Sequence, residues 1–207
     1  MARKFGKEKY ALMALSDKTD CELVAKRLLA LEYNIIASSG TAKYLRGHKG
    51  LRNGKIISVP NVTDWGPILD HRVVTLHPRI FGGILAKLPK HLRSMRYWGI
   101  PRIDFVYVGL YELWKMTAND SIEAIVEKID IGGVALLRAA AKNHERVIPA
   151  FDTKSCELAL STLEMAGVLS VAQHMRLASE TLDYTSNYDK TAATLLRGKI
   201  PLHPLHV

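Results

Sequence analysis

The chain has 207 residues, 48% hydrophobic and 24% charged, a balance that suits a globular protein of one large domain, or a domain plus a helical extension. No run approaches the ~18 apolar residues of a membrane span, and MARKFGKEKYALMAL lacks the apolar core and small-residue cleavage site of a signal peptide, so a cytoplasmic protein with no membrane association is expected. A formal charge of +9 fits an anionic partner, but the basic residues are spread out, loosely clustered only at 3–9, 43–55 and 87–102 with no nucleic-acid motif beside them, so nucleic acid ranks last.

In chain order, Tyr10–Leu15 predicts a first strand and about Asp20 to Leu31 a helix, with Thr19 and Glu22 at capping-box spacing. Asn34–Ser38 reads as strand two, Thr41–Arg46 as a short helix, and the Gly/Lys-rich Gly47–Lys55 as a loop before strand three, Ile56–Val59. Residues 60–88, rich in Pro and Gly, read as an ordered functional loop with a short helix near Trp65–Leu69. Phe105–Val108 predicts strand four, and a helix from about Ser121 to Lys128 leads into Ile129–His144. Val147–Phe151 predicts strand five, at an edge or with a bulge because Pro149 has no amide to donate. From Thr153 to about Leu196 the apolar spacing is helical, and the tail GKIPLHPLHV reads as irregular. The alternation of strand and helix argues for an α/β fold with a largely parallel sheet.

Four segments carry candidate chemistry. Ile129–His144, IDIGGVALLRAAAKNH, sets Asp130, Gly132, Gly133, Arg138 and Lys142 around one apolar helix. Its glycines permit close approach to a ligand, and its first amides suit an anion. Ser16-Asp17-Lys18-Thr19 and Ser38-Ser39-Gly40-Thr41 follow strands one and two, where open α/β sheets bind ligands. Either these hydroxyls and Lys18 hold a phosphate, or Thr19 and Thr41 only cap helices. In RVVTLHP, followed by Gly82-Gly83, Arg72 can grip a phosphate and Thr75 offers a hydroxyl. His77 is a base, a ligand or, as is commoner for a His before Pro, a structural hydrogen-bonder. Gly109-Leu110-Tyr111 ends strand four with a phenol at the crevice, whereas packing is expected of Tyr184 and Tyr188. Cys21 and Cys156 read as buried thiols, and with no HExxH or clustered His/Cys pattern no metal is expected. The glycine patterns of NAD and ATP sites are absent too.

Together SDKT, SSGTA, RVVTLHPRIFGGIL, GLYEL, IDIGGVALLRAAAKNH and YTSNYD resemble, over about residues 9–196, the IMP cyclohydrolase domain of the bifunctional purine-biosynthesis family that also carries AICAR transformylase. The resemblance implies a methylglyoxal-synthase-like three-layer sandwich: a mainly parallel sheet, helices on both faces and a C-terminal helical extension. It implies a single domain over 1–207 without the transformylase domain. The implied reaction closes FAICAR, a formylated ribonucleotide, to IMP with loss of water, without metal or organic cofactor. A homodimer and a separate AICAR-formylating enzyme are the implied partners. Carried over by motif, Ser16, Lys18, Ser38, Gly40 and Thr41 hold the ribose phosphate end. Arg72, Thr75, Gly109, Ile131 and Gly132 complete the substrate site, with Tyr111, Asp130 and Lys142 nearest the chemistry.

This chain departs from the family pattern at four places. RVKTLHP has Lys, regarded as a main oxyanion-stabilising group, where this chain has Val74. NLYPF becomes GLYEL, with Gly109 and Glu112; KIHGG becomes RIFGG, with Phe81; and Tyr184 replaces the His of HTAQYD. Val74, Phe81 and Gly109 are expected to reshape the base end of the pocket. The alternatives to a cyclohydrolase are therefore a redirected enzyme on an altered nucleotide and a non-catalytic purine-ribonucleotide-binding module, with methylglyoxal synthase weaker. On one unbroken helix Asp130 and Lys142 would stand ~18 Å apart, too far to act on one atom.

Overall fold

Both faces of the central strands are apolar. β1 (Lys9–Leu15) and β4 (Arg102–Gly109) are buried almost end to end, so the sheet they form needs cover on two sides. In the computed structural model, which describes residues 5, 6, 8–51, 55–66, 68–70 and 72–200, that cover is two layers of helix. β2 (Asn34–Ala37) and β3 (Ile56–Ser58) lie to one side of β1, and β4 and β5 (Ile148–Ala150) to the other. The order is β3-β2-β1-β4-β5 and every pair is parallel.

On one face α1 (Cys21–Ala30), α2 (Ser39–Gly47) and α8 (Thr153–Ala166) close over Ala11, Met13, Ile35 and Phe105. Arg27 pins α1 to α8 through Glu157, Ser161 and Glu164. Cys21 and Cys156 are buried in this layer as expected, and burial raises both thiol pKa values, that of Cys21 to about 11. On the other face α3 (Val59–Thr63), α4 (Pro78–Leu85), α7 (Gly132–Lys142) and α9 (Val171–Arg197) pack on Leu12, Ile36, Val106 and Val108. α5 (Leu92–Trp98) follows α4, and α6 (Ile122–Glu127) leads toward α7. The expected α/β three-layer architecture, with helices on both faces and a helical C-terminal third, is present. Among the described residues no helix is long and apolar enough to cross a membrane.

All five strands lie where the sequence placed them, and Pro149 sits on the edge strand β5. β4 begins three residues earlier than Phe105. Tyr10 and Ala11 pair with Ile103 and Phe105, so Asp104 is an extra residue, a bulge that interrupts the apolar run used to find the strand.

Two local expectations fail. Thr19 does not cap α1: its hydroxyl and amide both go to Asp17 Oδ1, and Asp20 stands at the N-cap of α1 without a side-chain cap bond. Among the described residues of Trp65–Leu69 none is helical. Leu69 and Asp70 adopt positive φ (54° and 53°), and Ile68 bridges Val73 in a tight turn. The helices of this region lie on either side of that turn. Pro60 and Pro78, read as loop formers, occupy the first turns of α3 and α4, where a missing amide costs nothing. The loop expected over Gly47–Lys55 contains a 3₁₀ turn at Lys49–Leu51. Its residues 52–54, and 201–207 of the tail, lie outside the described residues.

Candidate functional site

The chain leaves β1 toward β2 on one side, and β4 pairs on the other. The connections therefore diverge beyond the carboxyl ends of β1 and β4 and leave a crevice, the usual ligand position in such sheets. A cavity of about 520 Å³ opens there, within the ~300–1,000 Å³ range of small-molecule sites. Of the residues expected to bind ligand, Ser16, Ser38, Arg72, Thr75, Gly109, Tyr111, Asp130, Ile131 and Gly132 line it, and so does Val74.

At the sheet end of the cavity the hydroxyls are already held by backbone. Ser16 N–H donates to Gly109 O (3.1 Å) and its hydroxyl to Leu110 O (2.7 Å), which ties β1 to the segment carrying Tyr111. Ser38 Oγ donates to Thr41 Oγ1 (3.1 Å), and Leu15 N–H donates to the same oxygen (3.3 Å). Thr41 is fully buried and does not line the cavity, so it joins β1 to α2 rather than offering a hydroxyl to a ligand. Gly40 is exposed on α2 with open space where a Cβ would stand, and is not part of the cavity wall. Lys18 lies beside the cavity, half-buried, with its ammonium on Leu15 O (3.4 Å) and Ser16 O (3.3 Å).

Another part of the wall is the turn entering α7, and here the two glycines are required by space. A Cβ on Gly132 would sit 2.8 Å from Thr75 Oγ1; on Gly133 it would sit 2.7 Å from both Asp130 Oδ2 and Leu110 Cδ2. Asp130 Oδ1 accepts the Gly133 N–H at 2.7 Å, so this carboxylate caps α7 from the cavity side. Burial raises the Asp130 pKa, opposed by hydrogen bonds from the Gly133 and Tyr111 amides. A desolvated carboxyl beside helix-start amides suits proton exchange with a ligand.

Lys142 is not at this site. α7 runs unbroken from Gly132 to Lys142, which is exposed at the far end, ~15 Å along the axis at 1.5 Å per residue. Asp130 and Lys142 therefore do not share a reacting centre within this chain. Phe81 leaves the expected pocket and packs against the core on the α4–α7 face of the sheet, while Tyr184 packs there as expected, stacked on Phe151 at 4.9 Å between ring centroids. His77 has the structural role; its Nδ1 accepts the Arg79 N–H (3.1 Å) and caps α4, and burial lowers its pKa. Arg72 is exposed and ion-paired with Glu127 across the cavity mouth. Gly109 has room for a side chain, since a Cβ would meet Leu15 at an ordinary 3.5 Å.

Two contributors escaped the sequence reading. Lys128 holds its ammonium over the Tyr111 ring, 5.7 Å from the centroid, and so brings a cation to the phenol. Tyr188 of α9, expected only to pack, is buried and also receives the Asp130 N–H (3.0 Å) while donating to Lys128 O (2.8 Å). One phenol thereby fixes the peptide on which Asp130 stands, through a contact between residues 58 apart in sequence that no local signal announces. Tyr188→Phe should cost about 1–2 kcal/mol in unfolding free energy by leaving a buried amide and carbonyl unpaired, measured by urea denaturation.

Comparison with known proteins agrees with this fold. Residues 21–135 match the family described as MGS-like domain. The bifunctional purine biosynthesis protein PurH of Ligilactobacillus salivarius is 37% identical over 192 residues, covering 91% of this chain and 37% of that protein. PurH of Leuconostoc mesenteroides is 38% identical over 191 residues, covering 90% and 36%. The chain thus spans little more than a third of the length of these curated relatives. A crystal structure of ForH superposes with a TM-score of 0.78 at 34% identity, covering 92% of this chain and all of that one.

Proposed function

The chain belongs to the MGS-like domain family as a relative of PurH, and from there we propose that it is an IMP cyclohydrolase, closing FAICAR to IMP with loss of water. The observation that carries this is the cavity at the carboxyl ends of β1 and β4, which gathers Ser16, Ser38, Arg72, Tyr111, Asp130 and Gly132 in one wall. The hydroxyl side, with Arg72 at the mouth and Lys18 beside it, suits the ribose phosphate. Glu127 releases Arg72 to the incoming anion, an exchange made easy because both partners of that pair are 60% exposed.

At the other end the carboxamide nitrogen attacks the formyl carbon, forming the C–N bond while the carbonyl electrons move to oxygen. The Tyr111 phenol and the first amides of α7 face that developing oxyanion. Asp130 takes the amide proton and passes it to the oxyanion, giving a hydroxyl; a second nitrogen-bound hydrogen then goes to that hydroxyl, the C–O bond breaks and water leaves as the ring C=N bond forms. Holding both ends of the substrate in one cavity supplies the positioning that ring closure needs.

A homodimer, a cytoplasmic location and a separate enzyme supplying the formylated substrate belong to the same proposal. A second reading, a redirected cyclohydrolase or a purine-ribonucleotide-binding module, is favoured by one observation: the apolar Val74 on the cavity wall.

Incubating the purified chain with FAICAR and following IMP against the uncatalysed background separates the two. Acceleration is expected, with Tyr111→Phe slowing it by roughly 10²-fold, the scale of one lost oxyanion donor. No acceleration together with saturable IMP binding would establish the second reading.

A further inference from the structure

A second cavity is larger than the one just described. About 700 Å³ in volume, it lies at the amino-terminal end of the sheet, between the α4–α5 connection and the far end of α7. Its floor is fixed. Arg146 pairs with the bulge carboxylate of Asp104 and donates to Gly83 O (2.8 Å), Ile84 O (2.7 Å) and Ile103 O (2.8 Å). Asn143, also buried, donates to Ile84 O (2.7 Å) and Ala86 O (3.2 Å). These groups are internally satisfied and hold the walls in place.

The rest of the lining is not satisfied in that way. Lys87 and Arg96 border the cavity, and neither side chain has an ion-pair or hydrogen-bond partner among the described residues. Arg102, half-exposed, shares Asp104 at 2.6 Å. Glu145 is the acidic residue on the rim. Between Asp70 and Asp104 the sequence contains no acidic residue, so this basic segment is not neutralised along the chain. The basic stretch 87–102, which the purine site does not use, therefore converges on this hollow, joined by Phe5 from the first basic cluster. Phe5, Pro89, Leu92, Met95 and Ile100 supply apolar wall between the cations.

We propose that this cavity is a second binding site, taking an organic anion: a carboxylate, sulfonate or phosphate attached to an aryl or acyl body. The unpaired Lys87 and Arg96 supply the attraction for the charged group, and desolvation of the body against the apolar wall supplies the remainder. An inorganic ion would leave most of that wall wet. The proposal stands independently of the cyclohydrolase reading, because it uses none of the residues of the first cavity.

The test is a fluorescence titration with 1-anilinonaphthalene-8-sulfonate as the anionic probe and N-phenyl-1-naphthylamine as its uncharged counterpart. The intact chain should bind the sulfonate saturably. Lys87→Glu/Arg96→Glu, with both changes at exposed positions that do not support the core, should weaken it by about tenfold or more, the scale expected for two inverted charges at a partly screened site. The uncharged probe should change by less than about threefold, since it does not sense the charges. Arg72→Glu, at the mouth of the first cavity, should leave sulfonate binding unchanged. Non-saturable binding, equal affinity in the double variant, or loss caused by Arg72→Glu would each overturn the proposal.

Discussion

Asp130→Asn is expected to slow IMP formation by ~10²–10⁴-fold, the range for loss of a positioned acid–base group, without loosening the fold. The amide keeps an oxygen where Oδ1 now accepts the Gly133 N–H at 2.7 Å, so the start of α7 stays capped. It also removes a charge that folding disfavours. The Asp130 pKa in the folded protein is raised above the ordinary 3.8, first by burial, against the pull of the Gly133 and Tyr111 amides. Below 3.8 the carboxyl is protonated in both folded and unfolded chains and carries no penalty. As pH rises through the raised folded value the buried charge forms and stability is lost. Relative to the natural chain, the Asn variant should therefore gain stability between pH 4 and pH 7 in urea melts. Asp130→Ala, which removes the cap, should lose about 1 kcal/mol. An Asn variant less stable at pH 7 than at pH 4, both relative to the natural chain, would show that the carboxylate is a structural ion.

Val74→Lys should have the second large effect, raising FAICAR closure by about 10²-fold, the scale of one oxyanion donor gained. Val74 is half-buried in the cavity wall beside the buried Thr75, and its side chain can neither donate a hydrogen bond nor carry charge. A Lys there projects into about 520 Å³ of open space toward the Asp130 and Tyr111 wall. It would also favour the ionised form of Asp130, so the acid limb of the pH–rate profile should move to lower pH. If Val74→Lys leaves the rate unchanged, the cation is already supplied by Lys128, which stands over Tyr111. Lys128→Met should then be the damaging change. The two variants are read out by the same continuous assay.

The strands were legible because each is a short apolar run closed by turn residues, and their parallel order follows from the intervening helices. The prolines misled. Pro60 and Pro78 open helices, so α3 and α4 were read as loop, and Asp104 concealed the first part of β4 because a bulged carboxylate breaks an apolar pattern without ending a strand. At the site, the paired glycines and Asp130 were recognisable from residue type alone, and their close packing explains why no larger residue fits. Thr41 and Lys142 show what spacing does not reveal: one hydroxyl points inward to a strand, and one ammonium sits at the far end of the helix that starts the site. Tyr188 and Lys128 act through tertiary contact, and nothing near them in sequence marks it.

The short outer strands bear on how the protein behaves at high concentration. β3 and β5 are three residues each, and Pro149 removes a donor from one of them. Sheet edges of this kind are poor templates for another chain's backbone, which protects against the edge-to-edge growth that seeds fibrils. Self-association of these molecules is thus channelled to side-chain surfaces on helices and loops, where it can be tuned by single exposed residues without disturbing the sheet.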